Sequence, residues 1–181
     1  MKKILLVFTL AAIISTGTAY ADHPENFGIG VVFDIGWGNN GLGIGGALAL
    51  KFPKLPIFWA LSLGGGHGHF YTGITGDWYI IDKVLAADAN LHWYLGVGGL
   101  FRWHNWANYW FNDSRNDFDI GVRVPWGLSW QPEEWFELFG NIAPSIGLHV
   151  RGKHNDINGR HDTRAYFGYS IPVEIGVRFW F

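Results

Sequence analysis

The sequence predicts an all-β protein: a closed eight-stranded antiparallel up-and-down transmembrane β-barrel. Three observations predict it. Bulky apolar residues alternate with small or polar ones along eight stretches, and a period of two is the period of a β-strand. Gly accounts for 26 of 181 residues and aromatic residues for 18%, whereas only 15% are charged. After the N-terminal segment, no stretch approaches the roughly 18 consecutive apolar residues of a membrane helix.

The N-terminal segment, residues 1–21, has the three parts of a cleaved secretory signal peptide. Two lysines precede the apolar stretch 4–14, and Ala19-Tyr20-Ala21 supplies the small-x-small cleavage pattern. The barrel domain is therefore expected to be residues 22–181. The mature chain is therefore expected to be exported, and any membrane span must be built from strands, because only helices and closed barrels span membranes. The alternative is a secreted soluble β-sandwich.

Four alternating stretches lie in the first half of the chain, at 27–37, 42–52, 57–63 and 70–81. In the first of them, Phe33, Ile35 and Trp37 lie on one face, with Asp34 and Gly36 on the other. The alternation is weakest in 70–81. These stretches predict the first four strands.

The second half alternates more regularly, at 91–103, 117–130, 136–150 and 165–181. In 117–130, for example, an apolar face that includes Phe118, Ile120 and Trp130 opposes one with Asp119 and Arg123. These stretches predict the last four strands.

The connections between these strands alternate in character. The stretch GNNG (38–41) predicts a tight turn, because Asn tolerates positive φ. The other connections at that end are long and polar, at 64–69, 104–115 and 151–162, whereas those at 53–56, 82–88 and 131–134 are short. An even number of strands places both termini at one end, and short turns are typical of the periplasmic side. Both termini are therefore expected in the periplasm.

Residue size indicates which face points inward. The non-apolar face is rich in Gly, Ala and Ser, which suits a narrow eight-stranded lumen better than a water-exposed exterior. The apolar face suits lipid, and tryptophans near strand ends suit interfacial aromatic girdles. Closure follows because open strand edges cannot be satisfied in hydrocarbon.

The C-terminal strand ends in Phe181 and carries alternating apolar residues, including Val177 and Phe179. It resembles the signal read by the outer-membrane barrel assembly machinery. The chain as a whole resembles, by architecture, the small barrels of the OmpA, OmpX and OmpW type. This resemblance implies a bacterial outer-membrane location, with lipid and the assembly machinery as partners.

Nine charged residues fall on the inward face: Asp34, Lys51, Asp77, Arg102, Asp119, Arg123, Glu137, Glu174 and Arg178. Buried charges need partners. Hairpin register places Arg102 near Asp119 and Glu137 near Arg178, and Arg123 can meet Glu174 across the lumen. Two interpretations stay open at this point. The pairs close the lumen, or the inward glycines leave a narrow solute path.

The sequence gives little support for catalysis or for a cofactor. GLGIGG (41–46) matches a dinucleotide fingerprint only in its glycines, because it lies within a strand pattern. The loop around Asp156 lacks the acidic first and last ligands of a calcium loop. The chain has no Cys, and its net charge of −2 gives no footprint for nucleic acid. We therefore expect no catalytic residues, metal or cofactor.

The predicted loop 104–115 is rich in aromatic residues: Trp106, Tyr109, Trp110 and Phe111. They extend the outer girdle or form a patch that binds a surface ligand or host partner. The sequence thus favours an outer-membrane barrel with a surface or envelope role, structural, adhesive or interacting through its loops. The alternative is a narrow channel for small or apolar solutes.

Overall fold

The computed structural model describes residues 23–39, 41–66, 68–108, 113–152 and 164–181. Within these residues the chain forms ten antiparallel strands and one short 3-10 helix, Ala87–Ala89. The strands are β1 (Gly28–Gly38), β2 (Gly41–Lys51), β3 (Ile57–Gly66), β4 (His69–Ala86), β5 (Leu91–Asn108), β6 (Asp113–Arg123), β7 (Trp126–Glu133), β8 (Phe136–Ile142), β9 (Ser145–Arg151) and β10 (Arg164–Trp180).

The ten strands make eight staves, a stave being one complete crossing of the barrel wall. Strands β6 and β7 form one stave, because both pair with β5, and β8 and β9 form another, because both pair with β10. The breaks fall at Pro125 and Pro144, since proline has no N–H to donate to the ladder. Backbone bonds cross both breaks, from Gly96 N to Pro125 O (2.8 Å) and from Val124 N to Pro144 O (2.9 Å).

The ring closes between the first and last strands. β1 pairs with β10 along its whole length, from Gly28 opposite Trp180 to Gly38 opposite Ser170. Each stave therefore has two hydrogen-bonded neighbours, and the predicted closed barrel of eight staves is confirmed. The described part of the chain contains no helix that could span a bilayer.

The bulky apolar face points outward. Val31, Phe33, Ile120 and Ile146 are 57–60% exposed on the outer wall. The fully buried side chains include Glu137, Asp117 and Ser129, which point into the lumen. Burying polar groups while exposing aliphatic ones reverses the soluble pattern and is stable only when lipid covers the wall.

The end of the barrel where β1 begins and β10 ends is called the base, and the opposite end is called the mouth. Strands are longer at the mouth than the sequence indicates. The predicted long loop 64–69 is wrong, because β3 continues to Gly66, β4 starts at His69, and Gly68 turns the chain at φ 78°. Likewise β5 continues to Asn108, so Trp106 lies on a strand and not in a loop. Tyr109, Trp110 and Phe111 lie outside the described residues.

Candidate functional site in the barrel lumen

Polar side chains fill the lumen in three layers, which are defined by their members. The base layer contains His23, Asp82, Ser129, Glu137 and Arg178. The middle layer contains Asp34, Tyr71, Asp77, Arg123 and Glu174, and the mouth layer contains His69, Arg102, His104, Asp117, Asp119 and His149. Successive side chains of a strand point to opposite faces, so most of these residues occupy inward-facing positions that alternate with the apolar residues of the outer wall.

Glu137 is the centre of the base layer and is only 1% exposed. Its Oε2 accepts from Arg178 Nη1 at 2.7 Å and from Trp180 Nε1 at 3.1 Å. Its Oε1 accepts from Ser129 Oγ at 2.9 Å and from His23 Nε2 at 3.2 Å. A buried carboxylate with four donors is fully compensated, and so it stays ionised beside Arg178.

Aromatic rings enclose the Arg178 guanidinium. Its carbon lies 4.7 Å from the ring centre of Phe58, 4.5 Å from that of Phe139 and 5.3 Å from that of Trp180. Tyr79 stacks on Phe58 with 4.2 Å between centroids. These cation–π contacts and the aromatic stack surround the Arg178 cation with apolar ring surface.

His23 precedes the first strand and closes the base from within the lumen. Its backbone N–H donates to Asp82 at 3.2 Å, and its ring nitrogens contact Asp82 and Glu137. Burial alone would lower the pKa of His23, but the charge of Glu137 and the hydrogen bonds with Asp82 and Glu137 outweigh burial and raise it to about 9. His23 is therefore an imidazolium at neutral pH, and it joins two carboxylates that would otherwise repel each other.

The middle layer is organised by Arg123, which is 2% exposed. Its Nη2 donates to Glu174 on β10 at 2.7 Å, and its Nε lies 3.1 Å from Asp77 on β4. Tyr71 donates to Asp34 at 3.0 Å on the neighbouring wall. These contacts join opposite walls of the barrel across its axis.

The mouth layer is a chain of alternating carboxylates and imidazoles. Asp119 accepts from His104 Nε2 at 2.7 Å and contacts His149 Nδ1 through its other oxygen. His149 Nε2 lies 3.4 Å from Asp117, which also accepts from the Gly152 N–H at 3.0 Å. This series of side-chain contacts links β5, β6 and β9.

A cavity of about 90 Å³ lies at this level of the lumen. Its lining includes Asp34, Tyr71, Arg102, His104 and Asp119. Asp34 and Tyr71 of the middle layer form part of this lining. Among the described residues, no group of three His, Asp or Glu side chains is arranged to hold a metal ion.

The structure brings two of the three sequence-predicted pairs together. Glu137 contacts Arg178, and Arg123 contacts Glu174. Arg102 and Asp119 are register partners on β5 and β6, yet the Asp119 carboxylate binds His104 and His149. Trp106 lies beside His69 at the mouth, with 4.4 Å between ring centroids.

The residues of the proposed assembly signal lie along the closing strand. Val177 pairs with Val31 on β1 and with Leu138 on β8. Phe179 is 40% exposed on the outer wall, and Phe181 is 74% exposed while its N–H donates to Phe27 O at 2.9 Å.

Comparison with solved structures places this architecture among known barrels. The crystal structure of Neisserial surface protein A (NspA) matches with a TM-score of 0.53 and 13% identity, over 86% of this chain and 96% of that chain. The fold is that of a small outer-membrane β-barrel.

Two further structures match less closely. The N-terminal barrel domain of Pseudomonas aeruginosa OprF gives a TM-score of 0.45 at 13% identity, over 84% of this chain and 97% of that chain. A major outer membrane protein from Thermus thermophilus gives 0.44 at 11% identity, over 86% of this chain and 98% of that chain. No protein-family model matches the sequence, and no curated protein matches it significantly.

Several lumen residues are absent from the sequence-based set. His104 and His149 occupy inward-facing positions, but the sequence-based set contains only formally charged residues, and His counts as neutral. The sequence pattern also places residue 104 in a loop. Asp82 has the wrong parity: a β-bulge between Tyr79 and Ile81 shifts the register, so Asp82 faces the lumen together with Tyr79. His23 precedes every alternating stretch, and no periodicity indicates its position.

Proposed function

We propose that this chain is an integral outer-membrane barrel of a diderm bacterium that does not conduct and that acts at the cell surface through its mouth. Its role is structural, adhesive or interacting, and no step of it needs catalysis. The fold and the apolar outer wall support the membrane location. The closed lumen supports a surface role in preference to transport.

The observation that carries this proposal is the position of Arg123. Its guanidinium reaches Glu174 on one wall and Asp77 on another, at 2.7 Å and 3.1 Å. A solute that passed through would have to break both contacts, and stranding a buried charge costs about 3–5 kcal/mol. A second closure follows at the base, where His23 and Arg178 meet Glu137.

The base faces the periplasm and the mouth faces outward, because the connections 52–56, 87–90 and 134–135 at the base are short. The barrel assembly machinery binds β10, and lipid covers the outer wall. A surface ligand or host partner meets the mouth.

The alternative is a narrow channel for small or apolar solutes. The mouth cavity and the inward glycines favour it, since they provide space on the barrel axis. Such a channel requires the Arg123 and Arg178 pairs to separate.

Conductance in planar bilayers separates the two functions. We expect the purified, refolded barrel to show no steady single-channel current. A variant with serine at all four positions of the pairs Arg123–Glu174 and Arg178–Glu137 serves as the positive control, and it should conduct. Steady currents from the wild-type barrel would overturn the proposal and favour the channel.

A further inference from the structure

Arg102 and Asp119 form an opposite-charge couple that the fold holds apart. They are direct cross-strand partners on β5 and β6, the arrangement in which ion pairs usually form. No ion pair within 4 Å joins them in the described part of the chain. Both side chains line the mouth cavity.

Two imidazoles, and not Arg102, contact the Asp119 carboxylate. His104 donates to one of its oxygens at 2.7 Å, and His149 contacts the other. His149 also faces Asp117 at 3.4 Å through its second ring nitrogen. The His149 ring therefore lies between the carboxylates of Asp119 and Asp117.

The Arg102 guanidinium lies over the ring of Tyr71. Its guanidinium carbon lies 5.4 Å from the ring centre of Tyr71, whose hydroxyl donates to Asp34. Among the residues that the structure describes, Arg102 has no carboxylate within ion-pairing distance. It is half-buried and permanently charged, so it carries a fixed positive charge at the cavity wall.

The cavity therefore presents both signs of charge at separate points. Arg102 on β5 offers guanidinium donors, and Asp34 on β1 and Asp119 on β6 offer carboxylate oxygens; all three residues line the cavity. An anion would meet two carboxylates, and a simple cation would meet Arg102. A ligand that carries one charge of each sign matches both sets at once.

We propose that the mouth cavity binds a small zwitterion of the α-amino acid type. The ligand carboxylate accepts from the Arg102 guanidinium, for which a planar fork is the matching geometry. The ligand ammonium donates to Asp34 and Asp119. The cavity volume of about 90 Å³ suits a compact ligand with a small side chain. This site is tested separately from conductance, because Arg102, Asp34 and Asp119 are not members of the pairs Arg123–Glu174 and Arg178–Glu137.

Isothermal titration of the refolded barrel in a non-ionic polyoxyethylene detergent tests the site, with L-alanine as the probe. Propionate and ethylamine each carry only one of the two charges. We expect alanine to bind and each of the other two to bind at least tenfold more weakly. Arg102→Gln should abolish alanine binding. Arg151→Gln is the matched control, since Arg151 is an exposed mouth residue outside the cavity lining, and it should bind alanine as wild type does.

Folding of each variant is checked by its mobility on unheated gels. If Arg102→Gln does not fold, Arg102→Lys keeps the charge and loses the fork, and it should weaken alanine binding about tenfold. Three results would overturn the proposal. They are no heat with any probe, equal binding of propionate and alanine, or unchanged alanine affinity in the folded Arg102 variant.

Discussion

The base layer makes a quantitative prediction about Glu137. In Glu137→Gln the side chain keeps its size, but the Arg178 guanidinium, which is 3% exposed, loses its 2.7 Å contact with an anion, the one ion pair that it makes within the described residues. Removing one partner of a buried ion pair costs about 3–5 kcal/mol. The amide can still accept from Trp180 or Ser129, so the loss is expected near the middle of that range.

Equilibrium unfolding in urea provides the assay, with the barrel refolded into lipid vesicles and followed by tryptophan fluorescence. Ser129→Ala is the matched control, because it removes one neutral donor from the same carboxylate and should cost only about 1 kcal/mol. Arg178→Gln and the double variant complete a double-mutant cycle. We expect a coupling free energy of at least ~2 kcal/mol between the two positions.

A small coupling would refute this reasoning. Solvent-exposed ion pairs contribute about 0–1 kcal/mol. A coupling in that range would mean that water reaches Glu137 and Arg178. The base would then be open to water, and only the Arg123 contacts of the middle layer would still close the lumen.

Three further predictions concern assembly, strand packing and pH. Phe181→Asp should leave export and cleavage intact but lower the amount inserted in the outer membrane, measured by fractionation. Normal surface levels would contradict an assembly role. Gly147→Ala should destabilise the barrel in the urea assay, because a Cβ there would lie 2.2 Å from the Ile120 carbonyl, whereas Gly99→Ala meets nothing within 4 Å and should be neutral. The pKa of His23 rises from 6.5 to about 9, which contributes about 3 kcal/mol to the free energy of unfolding at 1.36 kcal/mol per pKa unit. This contribution is complete below pH 6.5 and is lost as pH rises through 9. Unfolding of wild type at pH 6 and pH 10 should show this loss, and a His23→Gln variant should show much less of it.

The barrel architecture could be predicted because its main determinant is local. A strand that separates lipid from a narrow lumen must alternate apolar residues with small or polar ones. The alternation of Phe118, Ile120 and Val122 with Asp119 and Arg123 therefore predicts both the strand and the face that points inward. The ends of the strands are harder to predict from the sequence. Polar and glycine residues at the mouth look like loop residues, yet in this barrel they are wall residues that face inward.

The lumen contacts were only partly predictable, for two physical reasons. Register places Glu137 beside Arg178, but it does not determine which partner wins when several compete, as for Asp119 with Arg102 and the two imidazoles. Bulges break the parity rule, as at Asp82, because one extra residue exchanges the faces. Contacts from outside the strands, such as that of His23, depend on the whole fold.

The seam between β1 and β10 has a consequence for the timing of folding. It joins Gly28 to Trp180, so its hydrogen bonds are among the most distant along the chain. Closing so large a loop is entropically costly, and folds dominated by distant pairings form slowly. While the ring is still open, β1 and β10 are two unpaired edges that can recruit a strand from another molecule. The rate of ring closure, set against the local concentration of unfolded chains, therefore decides between a monomeric barrel and an aggregate.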